Sequence, residues 1–349
     1  MSDSVYEDLA EALNRLPNGF PRTPSGVEVK ILRKLFSIEE AAIASKTGRH
    51  EETAEAIAVR LGRPSVDLAP ELRTMAEQGL LWHSEEDGKH LFRLAPFIVG
   101  IYENSNIDHE LAHLVEEFLS TGGAEGIMRP QPALHRVVPA QKAVKSEWIL
   151  PYDDVKAILM RSKSFNLNDC ICREQQKLVG NECKFPLRTC LSFSEKEKPS
   201  TGTSITKEEA LGFLDWSEEL GLVHTVSNVM KGVGYVCNCC GCCCGVMRGI
   251  TDWGIENSVA SSNYFARIDK EQCTGCGTCE DRCQVHAIRE EEDVSVVDRK
   301  KCIGCGLCVT GCPSGAAQLE RKAEADTVAP PVDFGTWEVN RLRDRGMGS

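Results

Sequence analysis

The chain has 349 residues, 42% of them hydrophobic and 18 of them cysteine, with a formal net charge of −12. That length points to two or three domains, and that hydrophobic share to ordinary buried cores. The acidic balance argues against electrostatic capture of nucleic acid or anionic membrane and favours basic protein partners.

The opening residues, MSDSVYEDLAEALNRLP, carry acids and no apolar signal-like segment. No apolar run nears the roughly 18 residues that span a bilayer. The expectation is a cytoplasmic protein without direct membrane insertion. Thiols stay reduced in that compartment, so the cysteines are read as metal ligands rather than disulfides. The first of them is Cys170, which makes the chain a metal-free front and a metal-loaded back.

A Pro/Gly-rich connector, LPNGFPRTPSG (16–26), precedes a run of short helices between Val27 and Val99. IEEAAIASKTG and ETAEAIAVRLG each close on glycine, a helix C-terminal signal. A third helix follows with Leu68, Leu72 and Met75 at helical spacing, then a hairpin turning at Asp87-Gly88. Three helices and a hairpin resemble a winged helix, a framework of many bacterial transcription regulators. The third helix would then be the reader. It carries Asp67, Glu71 and Glu77 against Arg73, where a reading helix needs cations, so no nucleic-acid partner is expected.

Residues 106–160 read as helical and connective, with the loop GIMRPQPALHRVVPAQ between two helices. TKEEALGFLDWSEELG is a clear helix: Thr206 and Glu209 form a capping box, Ala210, Phe213 and Leu214 an apolar face, and Gly221 a stop. The tail after 320 passes Pro330-Pro331 and ends in WEVNRLRDRG, either a docking segment or a disordered end.

CTGCGTCEDRC (273–283) and CIGCGLCVTGCP (302–313) are each C-x2-C-x2-C-x3-C, with every cysteine recurring 29 residues later. Three thiolates on a tight glycine-containing loop can wrap one face of a cube. Zinc would prefer C-x2-C pairs with longer spacers. The repeat resembles the bacterial two-cluster ferredoxin, a domain holding two [4Fe–4S] cubanes. In that family the fourth ligand comes from the other repeat. The resemblance therefore assigns Cys273, Cys276, Cys279 and Cys312 to one cluster, and Cys302, Cys305, Cys308 and Cys283 to the other. Gln284 stands where the family has proline, whereas Pro313 keeps the pattern. The segment between the repeats, REEEDVSVVD, reads as a polar turn and a strand.

The middle holds ten more cysteines: Cys170, Cys172, Cys183 and Cys190, then Cys237, Cys239, Cys240, Cys242, Cys243 and Cys244 in CNCCGCCC. Four ligands suit one cubane or one zinc. Arg173 and Arg188 are candidates to offset cluster charge. Neighbouring side chains of an extended chain point to opposite sides, so Cys239 and Cys240 can hardly reach one compact cluster together without a sharp turn, which Gly241 and Gly245 permit. Ten thiols suffice for two further cubanes with two spare. His224 is a candidate extra ligand or a hydrogen-bonded turn residue. CCG (239–241) also resembles the cysteine-rich domain of heterodisulfide reductase-type enzymes, over three residues and without that family's widely spaced partner cysteines.

The expected architecture is α+β: a winged-helix-like domain (1–105), a helical or irregular cysteine-rich region (106–262), a two-[4Fe–4S] ferredoxin domain (263–320) and a tail (321–349). The chain as a whole resembles multicluster ferredoxin-like proteins of anaerobic bacteria. The resemblance implies single-electron transfer to or from an oxidoreductase partner. A redox-sensing regulator, or a reductase with a noncubane cluster in 170–244, are the alternatives. No Gly-rich dinucleotide motif is present, since GVGYVCNCCG lacks both the spacing and a following helix.

Overall fold

Helices dominate the first third of the chain and short strands the remainder. The computed structural model describes residues 2–348. They divide into two units, one of 1–130 with 177–181 and 338–349, the other of 131–176 with 182–337. Among the described residues no helix is long and apolar enough to cross a membrane.

The first unit opens with α1 (Ser2–Asn14), α2 (Val27–Leu35), α3 (Ile38–Lys46), β1 (Glu52–Thr53), α4 (Ala54–Leu61), α5 (Ser65–Glu77), β2 (Leu81–Glu86) and β3 (Lys89–Leu94). It continues through α6 (Tyr102–Asn104), α7 (His109–Phe118) and α8 (Ala124–Met128). Ser37 and Glu40 start α3 with a capping box, and Gly62 ends α4 in the left-handed region. Asp87 and Gly88 both take positive φ, as a tight hairpin turn requires. The three strands form an antiparallel sheet in the order β1-β3-β2. Leu68, Leu72 and Met75 of α5 are buried, and the rings of Phe20, Phe97 and Phe118 pack together at tilted and edge-on angles.

The second unit contains β4 (His135–Val138), α9 (Val155–Arg161), β5 (Ser164–Asp169), α10 (Ile171–Leu178), β6 (Arg188–Ser194), β7 (Ser204–Ile205), α11 (Lys207–Leu220), β8 (Val223–Ser227), β9 (Tyr235–Cys239), α12 (Gly245–Thr251) and β10 (Val259–Ala260). Its strands build one seven-stranded sheet, β10-β4-β8-β9-β6-β5-β7, antiparallel except for the β10–β4 pair. The expectation of a helical or irregular middle is therefore corrected. β4 and β8 escape a sequence reading because they do not alternate: all four residues of β4 and all five of β8 are buried. α11 packs Ala210, Phe213 and Leu214 against this sheet, begins at the Thr206–Glu209 capping box and ends at Gly221.

The cysteine repeats follow as β11 (Tyr264–Ile268), α13 (Thr278–Asp281), β12 (Ile288–Glu291), β13 (Val294–Val297), α14 (Leu307–Thr310) and β14 (Ala317–Arg321). β11 pairs with β14 and β12 with β13, each antiparallel. The tail is ordered rather than a disordered end: it forms α15 (Phe334–Asp344). Trp337 Nε1 donates to Ala133 O at 3.0 Å. Arg341, fully buried, donates to the carbonyls of Pro17, Pro130 and Ile127. That buried fork ties the end of the chain to the loops beside α1 and α8, a use that its polar sequence does not announce.

Candidate metal centres

The repeat brings its eight thiols around two hollows. Cys283, Cys302, Cys305 and Cys308 line one of about 330 Å³, counting its mouth. Cys273, Cys276, Cys279 and Cys312 line the other, of about 290 Å³. Each hollow thus takes three cysteines from one repeat and the fourth from its partner.

The walls suit an anionic cluster. Backbone N–H groups of Ala287, Ala266 and Ala317 donate to the sulfurs of Cys283, Cys302 and Cys312 at 3.1, 3.4 and 3.5 Å. Gly304 has φ +70°, and a Cβ there would lie 2.2 Å from Ser262 Oγ and 2.3 Å from Tyr264 O, so the loop can wrap the hollow only with glycine. Burial pushes the Cys305 thiol up to about 12 and raises Cys283 and Cys308 as well. Such thiols surrender their protons when a metal takes the place of the proton. The residues present fit the two clusters.

β9 and the turn after it separate the middle thiols. The pleat puts Cys237 and Cys239 on one face of β9 and Asn238 on the other. Cys190 of β6 lies directly across from Cys237. Thiol contacts run from Cys190 to Cys237, to Cys239, to Cys244, to Cys172 and to Cys170. This six-thiol group lies at the end of β5, the start of α10 and the N-terminus of α12.

The remaining four, Cys183, Cys240, Cys242 and Cys243, have all their sulfurs within 4.8 Å of one another. The turn that gathers them closes through Cys244 N–H to Cys240 O at 3.3 Å. Gly241 N–H donates to Gln284 Oε1 at 3.0 Å, and Thr251 Oγ1 donates to Gly241 O at 3.1 Å. Contacts from the Cys242 and Cys243 thiols, helped by Arg173, push the Cys240 thiol well below the usual thiol range.

Arg173 is buried, donates to Thr189, to Pro186 O and to Asn238 O, and lies beside Cys170, Cys240 and Cys239. Burial works against its charge, yet these thiols hold its pKa above the usual value. Arg188 is exposed and faces Asp169 at 3.4 Å instead. His224 sits in β8 rather than a turn, with Nδ1 2.6 Å from Asn238 Oδ1 and Nε2 3.4 Å from Glu218.

Sequence reasoning missed three supporting residues. Gln284 joins Gly241 to Gly221, whose carbonyl accepts from Nε2 at 3.0 Å. Arg282 donates to the carbonyls of Glu218, Glu219 and Leu307 while lining the larger hollow. Ser295 Oγ lies 3.2 Å from Cys279 Sγ. The first had a visible signal, its departure from the proline of the ferredoxin pattern.

The sulfur groups are also continuous through apolar packing. One buried cluster contains Cys279 and Cys308 with Cys283 and Cys302 packed on it. A second contains Cys239 and Cys244 with Cys237, Cys283, Cys302 and Cys305 packed on it.

Residues 266–319 match the family model of the 4Fe-4S dicluster domain. No curated protein and no solved structure matches the chain. The match and the cysteine set together indicate an iron–sulfur domain and point to iron–sulfur electron transfer.

Proposed function

We propose that the protein passes single electrons between an oxidoreductase partner and a row of iron–sulfur centres. Two [4Fe–4S] clusters belong to the dicluster domain, held by Cys273, Cys276, Cys279 and Cys312 and by Cys283, Cys302, Cys305 and Cys308. The six-thiol group has ligands to spare for one of the two further cubanes expected between 170 and 244. When bound, the clusters supply the one-electron chemistry. The chain ligates them, buries them, and sets their charge balance through backbone N–H groups, Arg173 and Arg282.

The observation that carries this reading is the shared packing of the three sulfur groups. Cys279 and Cys308 meet in one apolar cluster, and Cys283, Cys302 and Cys305 pack against the cluster of Cys239 and Cys244. Tunnelling falls steeply with distance, so a wire needs such adjacency and needs water kept out.

The test is an EPR-monitored redox titration of the full chain, purified anaerobically. Reduction should yield cubane signals broadened by mutual spin coupling, each titrating as a one-electron step. Iron that stays magnetically isolated, or that takes no electron from a low-potential donor, would overturn the reading.

A second reading keeps one specific support. Six thiols exceed the four of a cubane, which suits a larger catalytic cluster and a reductase. Alanine replacement of Cys237, Cys239 or Cys244 separates the two. Loss of one cubane signal from a set of several favours the wire. Loss of a single signal of other than cubane type, together with loss of a reductase activity, favours the enzyme.

A further inference from the structure

The ten middle thiols divide four and six by position, and the four have all their sulfurs within 4.8 Å of one another. We propose that Cys183, Cys240, Cys242 and Cys243 form a mononuclear tetrathiolate site for zinc, separate from the iron–sulfur wire.

The first argument is dimensional. Zinc holds thiolate sulfur at about 2.3 Å, so the edge of its tetrahedron is about 3.8 Å. Cys242 Sγ and Cys243 Sγ are 3.7 Å apart, and all four sulfurs fit within 4.8 Å. A cubane interposes four irons and four sulfides between its thiolates and forces them outward. The thiols of the dicluster domain line two open hollows instead, and among the described residues they form no such tight group.

The second argument is the enclosure. Cys240 and Cys243 are each 1% exposed, packed with Leu222, Phe185 and Leu220. Cys242 is exposed and Cys183 half-buried. One side of the site is therefore dry and the other faces water. Arg173 beside Cys240 offsets the net negative charge of four thiolates on one divalent ion.

The third argument is what the ion would join. Three ligands come from one turn and the fourth from the loop before β6. The turn is rigidly set: a Cβ on Gly241 would lie 2.0 Å from Gln284 O, and both polar groups of its backbone are bonded. Zinc here would clip that loop to the turn that leads from β9 into α12. It would thereby fix Cys237, Cys239 and Cys244, the neighbours on the other side of the same segment. Its role is structural, because all four positions are filled by protein and none is left for substrate.

The site goes beyond electron transfer and fails separately from it. The experiment is metal analysis of the full chain grown with both iron and zinc, with Cys243→Ser and Cys242→Ser as variants. The wild type should carry about one zinc and about 12 irons, four for each of three cubanes. Either variant should lose its zinc at least tenfold while the EPR signals of the dicluster domain persist. Cys242 is exposed, so its variant guards against a simple failure to fold. Cobalt-grown wild type adds a readout that needs no variant, the thiolate-to-metal charge-transfer bands of a tetrahedral tetrathiolate ion. About 16 irons with no zinc, four irons lost on Cys243→Ser, or cobalt protein without those bands would each overturn the site. Those results would leave the wire intact, whereas one zinc with redox-silent iron would overturn the wire and leave the site.

Discussion

Gln284 replaces the proline of the ferredoxin pattern and uses the amide it gains twice, accepting from Gly241 N–H and donating to Gly221 O. Proline has neither group. Removing both bonds with Gln284→Leu, which keeps the bulk, should cost about 1–3 kcal/mol, since each such bond contributes about 0.5–1.5 kcal/mol. Urea unfolding followed by circular dichroism measures it, and an unchanged midpoint would deny the bridge any energetic role. His135 on β4 offers a second test at this scale. It is 4% exposed, its Nε2 lies 2.9 Å from Tyr235 Oη, and burial pushes its pKa down to about 4 from the usual 6.5. The folded protein thus keeps the ring neutral where the unfolded chain would protonate it. Between those two values the unfolded state binds the extra proton, so stability falls as pH drops from about 6.5 to about 4. The gap corresponds to about 3 kcal/mol. His135→Gln should lose less stability than the wild type over the same pH range, by about that amount.

Among the elements, α11 links sequence to site most directly. Its capping box, apolar face and glycine stop were all legible, because each is a local pattern with a local cause. Its C-terminal carbonyls, however, are met by Arg282, which arrives from between two cysteines of the first repeat. A cation at a helix C-terminus is favourable in itself. Here it also stands beside the hollow of Cys283, Cys302, Cys305 and Cys308. Arg282→Leu should weaken the fold and move the midpoint of that cluster to more negative potential, because a nearby positive charge favours the reduced, more anionic state. A redox titration reads the shift. A midpoint that stays in place would show that the guanidinium serves packing alone. The same scale explains the division at CNCCGCCC. Alternation along β9 sends Cys239 away from Cys240, an outcome contained in the pleat, while the turn at 241–243 sends three thiols the other way.

For the molecule as a whole, the charge of −12 and the acids of α5 argue against a nucleic-acid partner. Two nearby cations are already engaged: Arg63 with Glu71 at 2.5 Å and Arg60 with Glu52 at 2.6 Å. Few are left to neutralise phosphates, so no salt-sensitive DNA binding is expected in either redox state. Gel-shift assays on reduced and oxidised protein check this, and sub-micromolar, sequence-specific binding would bring the regulator reading forward.

The sequence by itself determined what is short-range. The 29-residue repeat announced the dicluster domain, the glycine stop announced the end of α4, the capping box and glycine stop announced α11, and Asp87-Gly88 announced the hairpin, whereas α3 ends at Thr47 rather than on its glycine. Each depends on residues within a few positions of one another, or on a spacing that only one kind of centre requires. The tertiary structure decided what depends on pairing across long stretches of chain. The seven-stranded sheet joins β4 to β8 and β10 across many intervening residues, and its fully buried strands carry no alternation to betray them. The same pairing set Cys190 across from Cys237 and brought Cys183 to Cys240, Cys242 and Cys243. Ligand count allowed many partitions of ten thiols. Which sulfurs stand together is fixed by strand register and turn geometry, and neither is written in the spacing of the cysteines.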